Sequence, residues 1–382
     1  MIARNGRPGS GQRRLRVGVC LSLSGKYARF GRQAAQGLQV WQALDGAADL
    51  IIEDDQSDPR VLQTAMPQVA ARSDVLLGPY STQLMRTAGR FAAETNRLVW
   101  NHGGSGDDVE AAHPGHIVSV LTPASRYAQP FLHHLADGAK PGMLWIAHGK
   151  GSFGRQVASG ADAMASALGI STVRIGPGDE LPTADRQAAE WDLLCAGLFE
   201  EDVQTIRRAR DLPYPPRSVC AVAAGVLEFG RTIDNPDGIY GIAQWTPGTG
   251  HIAELGPTEA DFLLAYADAT AGPPDYPAVQ AAAGAVLAAH CARQAGGTTR
   301  ELLWPLACEL DTETLFGGFK IDPDSGVQFR HEASLVRWTS AGLSWQPAPT
   351  GAAYEDARQA CATSGDAAAD AWDATTGDSL GI

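Results

Sequence analysis

Val17-Gly18-Val19-Cys20-Leu21-Ser22-Leu23-Ser24-Gly25-Lys26-Tyr27 is an apolar, β-rich run that gives way to a small, polar loop, and a helical segment follows over about 31–44. The same strand, loop and helix order recurs downstream. A strand is expected over 50–54, and then a helix over 59–72, where Val61, Leu62, Ala65, Val69 and Ala70 recur at helical spacing. Residues 74–77 form a strand that enters a Gly-Pro turn, 83–95 a helix and 97–100 a strand. Repeated βα units of this length predict a parallel sheet with helices on both faces.

The pattern restarts further on. Strands are expected over 142–147, 171–175, 191–196, 218–223 and 238–243, with helices over 154–168 and 200–209. A long helical region follows over 259–271 and 278–295, its apolar faces assigned to the first sheet. Segments 316–321 and 334–338, separated by Asp322-Pro323-Asp324-Ser325-Gly326, read as a closing hairpin. Two α/β units in 382 residues fit the usual size of two cores.

Composition narrows the function. A net charge of -13 disfavours nucleic acid and anionic membrane as partners. The one basic cluster, Arg13, Arg14 and Arg16, reads as a solvated lead-in to the first strand. No apolar run approaches the roughly 20 residues that span a bilayer. Residues 1–16 have no apolar h-region, so the chain as written is expected in the cytoplasm, or outside it if a leader has been removed. The six cysteines have no short-spaced partners, and His113, His116, His133 and His134 lack acidic or Cys partners at zinc spacing, so no metal and no disulfide framework is expected.

Ligands of open parallel sheets bind beyond the carboxyl ends of the strands. Three such loops combine Gly with hydroxyl or aromatic residues: Leu23-Ser24-Gly25-Lys26-Tyr27, Gly78-Pro79-Tyr80-Ser81-Thr82 and Asn101-His102-Gly103-Gly104-Ser105. Taken singly, each fits ordinary N-capping; three on one edge suggest a site for a carboxylate or amide. Gly149-Lys150-Gly151-Ser152-Phe153-Gly154 matches G-x-G-x-x-G literally, which leaves a nucleotide-dependent enzyme as an alternative. No acidic residue closes the following strand, and a flexible loop facing a cleft fits the stretch as well. Gly103-Gly104-Ser105-Gly106-Asp107 lacks the last Gly of a nucleophile elbow. The acid pairs Asp54-Asp55 and Glu200-Glu201 read as strand-end and helix-start residues.

The order of these motifs resembles the type I solute-binding proteins of branched-chain amino acid and amide transport. Residues 17–27 with Gly31 and Gly37 resemble that family's opening strand, ligand loop and first helix, and Ile52-Glu53-Asp54-Asp55 to Asp58-Pro59 its second strand. Asp74 to Ser81 resembles its third strand and main ligand loop. Gly238-Ile239-Tyr240-Gly241, Tyr276-Pro277-Ala278 and Phe316-Gly317-Gly318-Phe319 with Asp322, Gly326, Gln328 and His331 resemble its later segments. The resemblance covers about 15–346. It implies two Rossmann-like lobes with parallel sheets joined by three crossovers, lobe 1 from 15–121 plus 249–315 and lobe 2 from 122–248 plus 316–346, with 1–14 and the acidic 347–382 disordered. It also implies a non-enzymatic protein without cofactors that closes on an amino acid, an amide or a related polar solute. Either an ABC permease or, for a cytoplasmic amide sensor, a regulator is the implied partner.

Carried over by position, Ser81, Thr82 and the backbone of Gly103 and Gly104 hold the ligand's carboxylate or amide, with Ser24, Asn101 and His102 in the same loops. Tyr27, Tyr80 and Phe153 supply walls. The second-lobe loop Ala221-Val222-Ala223-Ala224-Gly225 has no acid to meet an ammonium; Glu228 lies close behind it.

Overall fold

A computed structural model describes residues 13–138, 142–181 and 190–346. The first unit runs β1 (Leu15–Leu21), α1 (Ala28–Asp45), β2 (Ala48–Asp54), α2 (Pro59–Arg72), β3 (Val75–Leu77), α3 (Thr82–Glu94), β4 (Val99–Asn101), the short α4 (Asp108–Ala111) and β5 (Ile117–Ser119). Its sheet is wholly parallel, in the order β2-β1-β3-β4-β5. Local signals place the helix ends. Asp58 caps α2 by accepting from the Arg60 N–H at 2.7 Å, and Pro59 sits at the first position, where no N–H is needed.

The second unit continues with α5 (Gln129–Asp137), β6 (Met143–His148), α6 (Ser152–Ala167), β7 (Thr172–Ile175), β8 (Trp191–Ala196), α7 (Phe199–Arg210), β9 (Ser218–Ala221), the short α8 (Phe229–Thr232) and β10 (Tyr240–Ala243). Then come α9 (Glu259–Ala269), α10 (Tyr276–Ala295), α11 (Arg300–Glu309), β11 (Thr312–Thr314), β12 (Gly317–Phe319), β13 (Ser334–Thr339) and β14 (Gly342–Trp345). The second sheet has the order β14-β13-β10-β9-β8-β6-β7, parallel except where β13 and β14 join antiparallel.

The chain passes between the two sheets three times. It leaves the first after β5, returns after β10 so that α9 and α10 pack on α1, and re-enters the second at β13. As expected, α10 covers the first sheet. Its Ala-rich surface lets α1 approach so closely that a Cβ at Gly37 would lie 2.0 Å from the Ala278 carbonyl oxygen. The largest fully buried side chains, among them Trp41, Trp100, Trp191, Phe229, Phe262, Phe316 and Phe319, are spread over both units.

Two expectations need correction. The segments 316–321 and 334–338 do not form a hairpin: β12 pairs with β11 and β13 with β10 and β14. The strand expected over 218–223 ends at Ala221 and turns into a 3-10 segment, Val222–Gly225. Arg13, Arg14 and Arg16 lie at the start of β1, as expected, with much of each side chain in solvent, and pair with Asp74, Asp49 and Asp74 at 2.8, 2.6 and 2.9 Å. Residues 1–12 and 347–382, which hold nearly all of the expected disordered ends and also Cys361, lie outside the described residues.

Candidate functional site

The carboxyl edges of the two sheets face one another across a cavity of about 400 Å³. The first sheet contributes Lys26, Tyr27 and Phe30 after β1, Tyr80, Ser81, Thr82, Gln83 and Arg86 around the start of α3, and Gly103 and Ser105 after β4. The second contributes Gly151, Ser152, Phe153 and Arg155 at the start of α6, Gly197, Leu198 and Phe199 at the start of α7, and Val222, Ala223 and Val226 after β9. Leu121 and Tyr127 enter from the first passage between the sheets, and Tyr276 and Gln280 from α10.

Strain and close approach shape the first-sheet wall. Ser81 has φ 121° and ψ 151°, a region almost reserved for glycine that costs a side-chain-bearing residue of order 1–3 kcal/mol. The conformation lets its N–H donate to the Gly103 carbonyl at 3.0 Å while its Oγ accepts from Leu84 at 3.3 Å. A Cβ on Gly103 would lie 2.7 Å from the Tyr80 Cα and 2.8 Å from the Pro79 oxygen, so the two loops meet backbone to backbone. Asn101 ties the second loop: its Oδ1 accepts from Gly103 and Gly104 at 3.1 and 2.9 Å, and its Nδ2 donates to the Gly104 oxygen and Ser119 Oγ at 2.7 and 2.6 Å. Behind Asn101 stands Glu110, whose carboxyl burial pushes up to about 7 against hydrogen bonds from Ser119 and Asn101.

Of the residues expected at the site, Tyr27, Tyr80, Ser81, Thr82, Gly103 and Phe153 line the cavity; Ser24, Asn101, His102, Gly104 and Glu228 do not. Ser24 donates to Asp54 at 2.7 Å and holds the β1 loop to β2. Asn101 is spent on its own loop and on Ser119. His102 is fully buried, which draws its pKa down to about 4, and so stays neutral. Gly104 packs against Met85. Glu228 is partly exposed beside Arg231, outside the cavity. The rings of Phe30, Tyr127, Phe199 and Tyr276 were not anticipated, nor was Gln280. The available signal was Tyr276 and Gln280, one helical turn apart in an Ala-rich run.

The second-sheet wall carries carboxylates that turn away from the cavity and towards backbone. Asp202 accepts from the N–H groups of Gly197 and Ala223 at 2.6 and 3.0 Å, and burial pushes it up to about 7. Asp275, at the start of α10, accepts from Leu227 at 2.7 Å and from Tyr276 at 3.2 Å, and burial raises it likewise to about 7. Glu201 accepts from Leu198 at 2.8 Å, and its Oε2 lies 2.0 Å from where a Cβ of Gly149 would stand. The G-x-G-x-x-G stretch is therefore packed against a carboxylate, which repels phosphate. No Asp or Glu side chain is among the described residues that line the main cavity. No group of three or more His, Cys, Asp or Glu suited to a metal occurs among the described residues.

The two walls also touch directly. Arg29 bonds Glu200 at 2.6 Å with its guanidinium 4.1 Å over the Phe199 ring, Arg86 reaches Ser152 at 2.8 Å, and Gln156 reaches Asp108 at 2.7 Å.

The fold has many relatives of known structure. The leucine binding protein LivK of Thermotoga maritima superposes with a TM-score of 0.73 at 14% identity, over 87% of this chain and 98% of that one. A solute binding protein of an ABC transporter from Rhodopseudomonas palustris BisB5, in complex with 3,4-dihydroxybenzoic acid, gives 0.72 at 13%, over 89% and 99%. An ABC transporter substrate-binding protein of Desulfitobacterium hafniense in complex with Leu gives 0.71 at 14%, over 87% and 100%. No curated protein is significantly similar to the chain. A family model described as periplasmic binding protein matches residues 14–343, so with its two largely parallel sheets and the cavity between their carboxyl edges this chain belongs to the periplasmic binding protein family.

Proposed function

We propose that the chain is the solute-binding component of an ABC-type importer, acting outside the cytoplasm, and that its solute is a small organic anion with a flat apolar body, such as an aromatic carboxylate. The observation that carries this reading is the cavity's lining: seven aromatic residues, Tyr27, Phe30, Tyr80, Tyr127, Phe153, Phe199 and Tyr276, with Lys26 and Arg155, with Arg86 already paired to Asp108, and without a carboxylate side chain among the described residues. Aromatic walls stack well on a flat ring. An α-amino acid brings an ammonium that must shed water, and a buried cation without a partner is costly. The carboxylate has better prospects. The first N–H groups of α3, at Thr82 and Gln83, lack acceptors within their helix and lie at its positive end. Among related folds, the R. palustris protein holds 3,4-dihydroxybenzoic acid and a second R. palustris solute binding protein holds benzoate.

Closure over the solute follows from the same geometry, since a molecule in the cavity touches both walls and favours the state in which they meet. The test is a calorimetric and thermal-shift comparison of benzoate, 3,4-dihydroxybenzoate, leucine, isoleucine and leucinamide. The proposal expects an aromatic acid to stabilise the protein by about 2.7 kcal/mol at 100 times its dissociation constant. Stronger stabilisation by leucine or isoleucine than by either acid would sink it.

A further inference from the structure

Helix α10 is buried along nearly its whole length, and its enclosed surface is built from Ala, Gly, Val, Leu, Pro and Cys with two polar exceptions, Tyr276 and Gln280. These stand one turn apart on one face, and both line the cavity. Gln280 is 1% exposed, and its Oε1 has no hydrogen-bond partner. A buried carbonyl oxygen without a donor is destabilising, and such groups are rare in folded proteins. The neighbouring hydroxyls of Tyr276 and Tyr80 lie 3.3 Å apart, so one donates to the other and the pair retains a hydrogen to offer. Burial raises both phenols well above their ordinary range, so both stay protonated. This corner of the cavity thus presents one unpaired acceptor and one available donor, both neutral.

We infer that Gln280 is a specificity-determining residue: among the molecules the cavity admits, its carboxamide selects those that carry a hydroxyl or other neutral hydrogen-bond donor over the same molecule without one. The inference rests on the binding role proposed above and adds a requirement to it. A hydroxyl both donates and accepts, so it satisfies Gln280 Oε1 and the tyrosine pair together. A C–H in its place leaves the amide oxygen unpaired, and sites built around a hydrogen bond reject analogues lacking it far more strongly than apolar pockets reject a missing methylene. Rotating the amide would bury Nε2 instead, a donor that favours a carboxylate. That arrangement predicts a different result in the same experiment.

The experiment measures dissociation constants by calorimetry for four pairs: benzoate with 3-hydroxybenzoate, benzoate with 4-hydroxybenzoate, benzamide with 3-hydroxybenzamide and benzamide with 4-hydroxybenzamide. Each is titrated into the wild-type chain and into Gln280→Leu, whose side chain has similar bulk and no polar atom. In the wild type one hydroxyl isomer binds at least tenfold more tightly than its parent, equivalent to 1.4 kcal/mol at 25 °C. In Gln280→Leu that ratio falls to within about twofold, the parent binds as well as before or better, and the melting temperature is unchanged or higher because no internal bond has been lost. A ratio that survives the substitution overturns the inference, as does a loss of parent binding, which would assign Gln280 to the carboxylate. Binding of benzamides alone overturns the anion reading but leaves the Gln280 comparison to be decided by its own ratio. Silence from all four pairs overturns both.

Discussion

Across the cavity, loops 79–82 and 103–105 of the first sheet are tied by neutral groups, whereas loops 197–199 and 222–227 of the second are tied by carboxylates. On the first side Asn101 gathers the N–H groups of Gly103 and Gly104, and Thr82 Oγ1 accepts from Gly106 at 3.1 Å. On the second, Glu201, Asp202 and Asp275 take the N–H groups of Leu198, Gly197, Ala223 and Leu227. An incoming anion meets open helix-terminal donors on one wall and donors already held by carboxyl oxygens on the other. Under the proposed function this difference gives the two walls separate tasks: the first would hold the ligand's charge, and the second would supply apolar cover.

Substitutions can break this contrast, and the largest effect is expected on the second wall. Asp202→Ala strips the acceptor from two buried N–H groups, each worth about 1–3 kcal/mol when left unpaired, so chemical denaturation is expected to show a loss of about 2–5 kcal/mol. A loss under 1 kcal/mol would mean that the second wall does not depend on its carboxylates.

Next is Glu110→Gln, which probes a buried acid behind the neutral wall. Because burial raises the folded-state pKa from 4.5 to about 7, wild-type Glu110 contributes fully below about pH 4.5 and loses that contribution as pH rises through 7. The glutamine variant has no such loss. Its stability relative to wild type is expected to improve by up to about 3 kcal/mol between pH 5 and pH 8 in urea titrations. His102 and His331, which burial lowers to about 4 and 3, act with the opposite sign as pH falls, but equally in both proteins, and so cancel from the difference. A pH-independent difference would refute the buried, protonated state of Glu110.

Gly103→Ala forces a Cβ against the Tyr80 backbone, and overpacking of this kind costs about 1–3 kcal/mol. Ligand affinity is expected to fall at least tenfold along with the melting temperature. A variant that binds normally would show the two loops free to separate. The smallest effect belongs to Ser81→Gly. Relief of the positive φ is offset by the weakened cap and the greater freedom of the unfolded chain, for a net gain of about 1 kcal/mol with weaker binding. Lower stability would show that Ser81 is not strained.

Much of the architecture was legible because it rests on local periodicity and end signals. The helix over 59–72 and the strand over 191–196 were placed to the residue, the first by Asp58-Pro59 and its apolar spacing, the second by a compact buried run. The mispaired hairpin shows the limit, since segments 316–321 and 334–338 both read as strands but their partners, β11 and β10, are chosen by tertiary contact. Site residues divided in the same way. Tyr80, Ser81, Thr82 and Gly103 follow strands and were found by that rule. Asn101 and Ser24 obey it too, but their side chains fold back onto neighbouring loops, which spacing does not reveal. Tyr127 and Phe199 stand beside the second unit's elements, and Gln280 lies inside a helix that reads as plain core.

The three passages between the sheets carry a consequence for inheritance. The second sheet takes β6 to β10 from one stretch and β13 with β14 from another, while α9 and α10, which cover the first sheet, are encoded between them. Neither half of the molecule corresponds to an uninterrupted piece of gene. A cut at the exposed Ile252 would release two polypeptides, each carrying parts of both halves, rather than two modules. A single crossover therefore cannot exchange the whole of one sheet together with its covering helices.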